Sequence, residues 1–150
     1  MRGTGPRVVG AGVAVLVAAA LAGCAPAPEP AFSVDDGLPD ELAAGETYVA
    51  RVTITFPDDW PDADETGRVA LVGMIVDLGT GAEALVCDSQ GVLPEDLPSV
   101  TLTCEFAAEA PSRGVEVIAQ AAETDAYSTD EVVHGIWADQ VYQHTVAPTP

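Results

Sequence analysis

Asp62-Ala63-Asp64-Glu65-Thr66-Gly67 is the stretch of this chain whose residue types and spacing come nearest to a metal site. Counted from Asp62, side-chain oxygens fall at the first, third and fifth positions (Asp62, Asp64, Thr66), with Gly67 sixth and aliphatic Val69 eighth. A calcium loop uses this order: alternating oxygens wrap a hard cation and the glycine permits the sharp turn. The twelfth position, where a bidentate glutamate completes such a loop, is Gly73, and Pro57 and Pro61 oppose an entering helix. Two readings stand, a divergent calcium loop between strands and a solvated acidic turn, and the missing carboxylate favours the turn. Calcium titrated calorimetrically into the soluble domain is therefore expected to bind in the millimolar range or not at all. Micromolar binding that the Asp62→Asn, Asp64→Asn pair abolishes would instead establish a calcium site. Apart from calcium, no cofactor is expected.

His134 and His144 are the only histidines. Their spacing matches no local metal signature, and pH-sensitive surface imidazoles are expected of both; a metal would need facing strands to bring them together. There is no Gly-x-Ser-x-Gly elbow, no glycine-rich phosphate loop and no His-Glu-x-x-His helix. Scattered Ser, His and Asp residues make no triad, so the chain is not expected to be an enzyme. Trp60, Tyr127, Trp137 and Tyr142 could stack on sugar rings if at least two stood exposed together, but in a chain this poor in aromatics core filling is the expected use.

The one long apolar run follows Arg2 and Arg7 and ends Leu21-Ala22-Gly23-Cys24, ahead of Ala-Pro-Ala-Pro-Glu-Pro. A basic start, an apolar stretch and small residues at its end make an export signal, and the run falls short of the about 20 apolar residues that span a bilayer. Leu21-Ala22-Gly23-Cys24 resembles the lipobox of bacterial lipoproteins. The resemblance implies that the sulfur of Cys24 receives a diacylglycerol and that residues 1–23 are removed as a signal peptide. Cys24 then opens the mature chain on the extracytoplasmic face of the cell membrane, held there by lipid. With Cys24 so used, Cys87 and Cys104 remain as an even pair in an oxidising compartment, where a disulfide is expected.

The chain has 24 acidic residues, five arginines and no lysine, for a net charge of -19. Removal of residues 1–23 takes Arg2 and Arg7 and no acid, so the mature protein is more negative still. Such a field excludes nucleic acid as a partner and repels an anionic membrane surface. The acids are scattered, as solvating charges are.

The elements that must position these groups follow from periodicity. Residues 24–45, rich in Pro, Ala and Asp, read as the lipidated cysteine and an extended spacer; residues 46–147 read as one domain and 148–150 as a tail. Alternation from Glu46 to Phe56 and from Ser99 to Phe106 predicts half-buried strands. The unbroken apolar run within Arg68 to Leu78 predicts a central strand covered on both faces. Glu83 to Asp88, Gly114 to Glu123 and Gln140 to Val146 are further candidates. Ser128-Thr-Asp-Glu131 has capping-box form, which leaves 124–138 open between strand and helical turn.

Five or six short strands separated by Gly, Pro and Asp predict a single antiparallel β-sandwich. Gly45-Glu-Thr-Tyr-Val-Ala-Arg-Val-Thr-Ile54 and Ser99-Val-Thr-Leu-Thr-Cys104 resemble the immunoglobulin-like modules of bacterial surface proteins, which implies an Ig-like sandwich. The expected function is that of a lipid-anchored, extracytoplasmic, non-catalytic interaction or structural domain, with an envelope protein or glycan as partner. The alternative is an accessory calcium- or carbohydrate-binding module of the cell envelope.

Overall fold

In the computed structural model, residues 28–60, 68–125 and 133–148 are described. They form eight strands and no helix: β1 (Ala31–Phe32), β2 (Glu41–Ala43), β3 (Thr47–Thr55), β4 (Arg68–Asp77), β5 (Leu85–Val92), β6 (Ser99–Ala107), β7 (Val115–Asp125) and β8 (Val133–Ala147). Two sheets result, a three-stranded one in the order β1-β3-β6 and a five-stranded one in the order β2-β8-β7-β4-β5. The predicted calcium ligands Asp62, Asp64 and Thr66, and Cys24, lie outside the described residues. So does the Ser128–Glu131 capping box; β7 and β8 account for the described parts of 124–138.

Period-two patterning builds the core. In β3 the side chains of Ala50, Val52 and Ile54 are buried, and register sets them opposite Cys104, Leu102 and Val100 of β6, also buried. The facing sheet contributes Ala70, Val72, Met74 and Val76 of β4 and Val115, Val117, Ala119 and Ala121 of β7. These residues form one apolar cluster, an arrangement consistent with a β-sandwich. Each fully buried Val, Leu, Ile or Met contributes about 1.5–3 kcal/mol relative to exposure, enough to hold the register against a slip that would turn every apolar side chain outward.

Four differences from expectation have physical reasons. The sheets are not wholly antiparallel, because β2 pairs parallel to β8 through Glu41↔Thr145, Leu42↔Val146 and Ala43↔Ala147. Ordered strands begin at Ala31, inside the stretch read as spacer; β1 and β2 are too short for a period to show in sequence. The strand placed at Glu83 to Asp88 is instead β5, Leu85–Val92, whose polar Ser89 and Gln90 break the apolar signal. Finally, β4 is not buried on both faces: Val69, Leu71, Gly73 and Ile75 are not among its buried residues. Neighbouring side chains of β5 and β7 shield the outer face of this inner strand, so an apolar residue is tolerated there without a covering layer.

Cys87 and Cys104 are joined in a disulfide with Cα atoms 5.3 Å apart. Cys87 lies on β5, the edge of the five-stranded sheet, and Cys104 on β6, the edge of the three-stranded one, so the bond ties sheet to sheet. Register shifts from Met74↔Asp88 to Ile75↔Val86, which makes Cys87 the extra residue of a bulge. A bulge re-aims the side chain it carries, here toward β6.

Candidate functional site

The end of the fold where β4 and β8 finish and β7 begins carries an open groove of about 760 Å³, lined in part by Asp40, Asp77, Arg113, Glu116, Gln143 and His144. Its walls are set by the β4–β5 turn and the segment before β7. Asp77 Oδ1 accepts the Gly79 N–H at 2.8 Å, Arg113 N–H donates to Gly79 O at 3.1 Å, and the Ser112 hydroxyl donates to Leu78 O and accepts the Gly114 N–H. Gly79 has φ +65°, and a Cβ there would run into the carbonyl oxygen of Gly114. Gly79→Ala is therefore expected to cost about 2 kcal/mol, read as a lowered urea midpoint, because both the backbone region and the space exclude a side chain.

His144 projects inward from β8, opposite Val115, and is 7% exposed. This corrects the expectation of a surface histidine. Alternation along β8 puts His144 on the face that carries Tyr142 and Val146, and burial is tolerated because both ring nitrogens are bonded. Nδ1 lies 2.8 Å from Pro39 O, and Nε2 lies 2.9 Å from Oδ2 of Asp36. Asp36 is itself 1% exposed, and its Oδ1 accepts the Leu38 N–H at 3.2 Å. With both nitrogens engaged, His144 offers none to the groove. Nor can it share a metal with His134: both sit on β8, roughly 30 Å apart at the rise of an extended strand.

Electrostatically the groove is mixed. Asp40, Asp77 and Glu116 attract cationic groups, while Arg113 is the one arginine among its described lining residues. Gln143 Nε2 donates to Glu116 Oε1 at 2.9 Å and so fixes one carboxylate. Among the described residues no three His, Cys, Asp or Glu side chains gather to hold a metal ion. The twelve-position frame counted from Asp62 does not persist as a loop, because residues 68–73 are strand, paired with β7 along their length. Gly73 stands opposite Gln120 in the sheet, where no side chain could fold back as a twelfth ligand.

The described aromatic residues of the candidate platform face the core. Trp60 meets Phe56 edge-on at 5.1 Å, and both Trp60 and Tyr142 pack against the apolar cluster, so these two form no exposed sugar platform. Tyr127 and the side chain of Trp137 lie outside the described residues. The Tyr142 hydroxyl donates to Ser33 O at 2.6 Å. Burial raises the Tyr142 pKa above the usual phenol range, and the carboxylates of Asp36 and Asp35 push it the same way. A phenol whose folded value is raised contributes stability that is fully present below about pH 10 and is lost as pH rises through the folded value. Tyr142→Phe is expected to cost about 1 kcal/mol at neutral pH through the lost hydrogen bond and to lessen the alkaline decline. Urea midpoints at pH 7 and pH 11, beside a phenolate absorbance titration, measure both.

Nothing in the local sequence signalled the Asp36–His144 pair or the groove. Asp36 and His144 are 108 positions apart, and neither sits in a motif of its own.

No protein-family model and no curated protein matches the chain. Among solved structures it is similar to a single-substitution variant of a superoxide reductase (neelaredoxin) from Ignicoccus hospitalis, at 13% identity and a TM-score of 0.48, covering 81% of this chain and 82% of that one. The same reductase without that substitution aligns at 14% identity and a TM-score of 0.46, covering 79% and 80%. AvmM, described as catalysing macrocyclization in alchivemycin A biosynthesis, aligns at 14% identity and a TM-score of 0.47, covering 84% and 92%. Because these similar structures include enzymes, the expectation that the chain is not an enzyme is withdrawn. Likeness at this level assigns the chain no activity of its own.

Proposed function

We propose that this chain is a lipid-anchored domain of the extracytoplasmic cell envelope, with an Ig-like β-sandwich that acts through contact with an envelope protein or glycan. The observation that carries the reading is Leu21-Ala22-Gly23-Cys24 at the end of an apolar run that begins after two arginines. The cysteine inventory supports it. Cys87 and Cys104 are consumed in a disulfide, which suits an oxidising compartment and leaves Cys24 as the remaining cysteine of three. The two-sheet, all-β fold supports the sandwich, and the excess of acids supports a domain that stands away from anionic headgroups.

Metabolic labelling of intact cells with an azido fatty acid tests the anchor, and protease added outside those cells tests the side of the membrane. Label on the protein together with its digestion is the expected result. An unlabelled, protease-protected protein would overturn the reading.

A further inference from the structure

The buried Asp36–His144 contact is complete only while it holds a proton, and we propose that it is a proton-dependent latch fastening residues 33–40 to the C-terminal strand β8. A carbonyl oxygen can only accept, so Nδ1 of His144, 2.8 Å from Pro39 O, must carry hydrogen. Nε2 then faces Oδ2 of Asp36 at 2.9 Å. Were that nitrogen bare and the carboxylate ionised, two lone pairs would confront each other away from water. Exchanging the tautomer only moves the conflict to Pro39 O. One proton between Nε2 and Oδ2 removes it, on the ring beside a carboxylate or on the carboxyl beside a neutral ring. The carboxylate cannot turn away freely, since Oδ1 is held by the Leu38 N–H.

The latch closes a larger junction. Arg51 N–H donates to Asp36 O at 2.8 Å, Thr145 N–H to Asp40 O at 2.9 Å, and the Tyr142 hydroxyl to Ser33 O. The charged and titratable residues around the pair are Asp35 and Asp40 on the same segment, Arg51 on β3, Tyr142 on β8, Glu41 opposite Thr145, Glu116 on β7, Asp77 at the end of β4 and Arg113 ahead of β7. Opening exposes both members to water, where a free imidazole gives up its added proton above about pH 6.5. Above that pH, opening releases a proton, and its equilibrium constant rises by up to about tenfold per pH unit. Because β1 stays paired with β3, opening frees an internal segment between β1 and β2 and bares the end of β8 without detaching the chain that precedes β1. The latch stands whether or not Cys24 is acylated.

Asp36→Asn is the discriminating variant because it is nearly isosteric. The amide Oδ1 still accepts from Leu38, and the new NH2 group donates to the bare Nε2 of a neutral His144, closing the latch without a titrating proton. The measurement is amide hydrogen exchange of the full chain from pH 5.5 to 8.5, corrected for intrinsic rates, in a His134→Gln background that leaves His144 the sole histidine. Protection of Leu38, Arg51 and Thr145 is expected to fall at least tenfold relative to the other amides of β3 and β6 when Asp36 is present. In Asp36→Asn it is expected to stay level above about pH 6.5 and to weaken only below it, where the opened imidazole takes up a proton that the amide latch excludes. A level profile with Asp36 present, or parallel profiles in the two proteins, would overturn the latch. If Asp36→Asn does not fold, the profile with Asp36 decides alone: a fall confined to the three junction amides supports the latch, and a level profile sinks it.

Discussion

Cys24→Ser is expected to abolish incorporation of an azido fatty acid and to move the protein out of the detergent phase on partitioning. On the proposed reading, the sulfur is the attachment point of a diacylglycerol, and two chains on one residue meet the requirement of two signals for stable anchoring. Each buried methylene contributes about 0.8 kcal/mol, so losing both chains lowers membrane partitioning by many orders of magnitude. Nothing in the described part of the fold compensates. The described residues include no helix long and apolar enough to cross a membrane, and the acidic surface is repelled by anionic headgroups. The disulfide sharpens the test, because Cys87 and Cys104 have no free sulfur to accept lipid. Equal labelling of the variant and the parent would refute the anchor while leaving the two-sheet fold untouched.

The strands that announced themselves in sequence were those whose one face meets the core and whose other meets water. β3 and β6 show this most clearly, since Val52, Ile54, Val100, Leu102 and Phe106 alternate with Thr and charged residues, and their burial follows the same alternation. β4 misled because apolar residues occupy both of its faces, and a run of that kind does not say whether a second layer exists. β1 and β2 escaped notice because they are held by backbone pairing to longer strands, with no pattern of their own. The site was less legible still. His144 looked like a surface imidazole until β8 turned it inward, and its partner lies in a stretch whose proline and acid content reads as spacer. Residue type and local spacing carry no trace of a contact that exists only because β2 pairs with β8 and brings Pro39 and Asp36 beside it. The acidic stretch around Asp62 shows the reverse: a local pattern suggested a loop, and the start of β4 at Arg68 takes half of that pattern into a sheet.

Removing the disulfide by the Cys87→Ala, Cys104→Ala pair is expected to destabilise the domain by about 3 kcal/mol, on the chain-entropy model for a loop of this length. The sequence separation is 17, so the bond restricts a short stretch of the unfolded chain. In the native state it joins two sheet edges that pack side by side with no shared backbone pairing between them. A loss of this size corresponds to a fall in the thermal midpoint of roughly 10 °C for a domain of about 120 residues. The denaturant slope should rise as well, because an uncrosslinked unfolded chain exposes more surface. Double replacement is the informative variant, since single replacement leaves a lone thiol and confounds chain entropy with its chemistry. Urea titration of the exported protein, with and without reductant, should reproduce the same loss in the unmutated chain, and both cysteines should resist alkylation until reduced. A change below about 1 kcal/mol would show that restricting the unfolded chain contributes little here, and the packing of β3 and β6 against β4 and β7 would then be what holds the two sheets together.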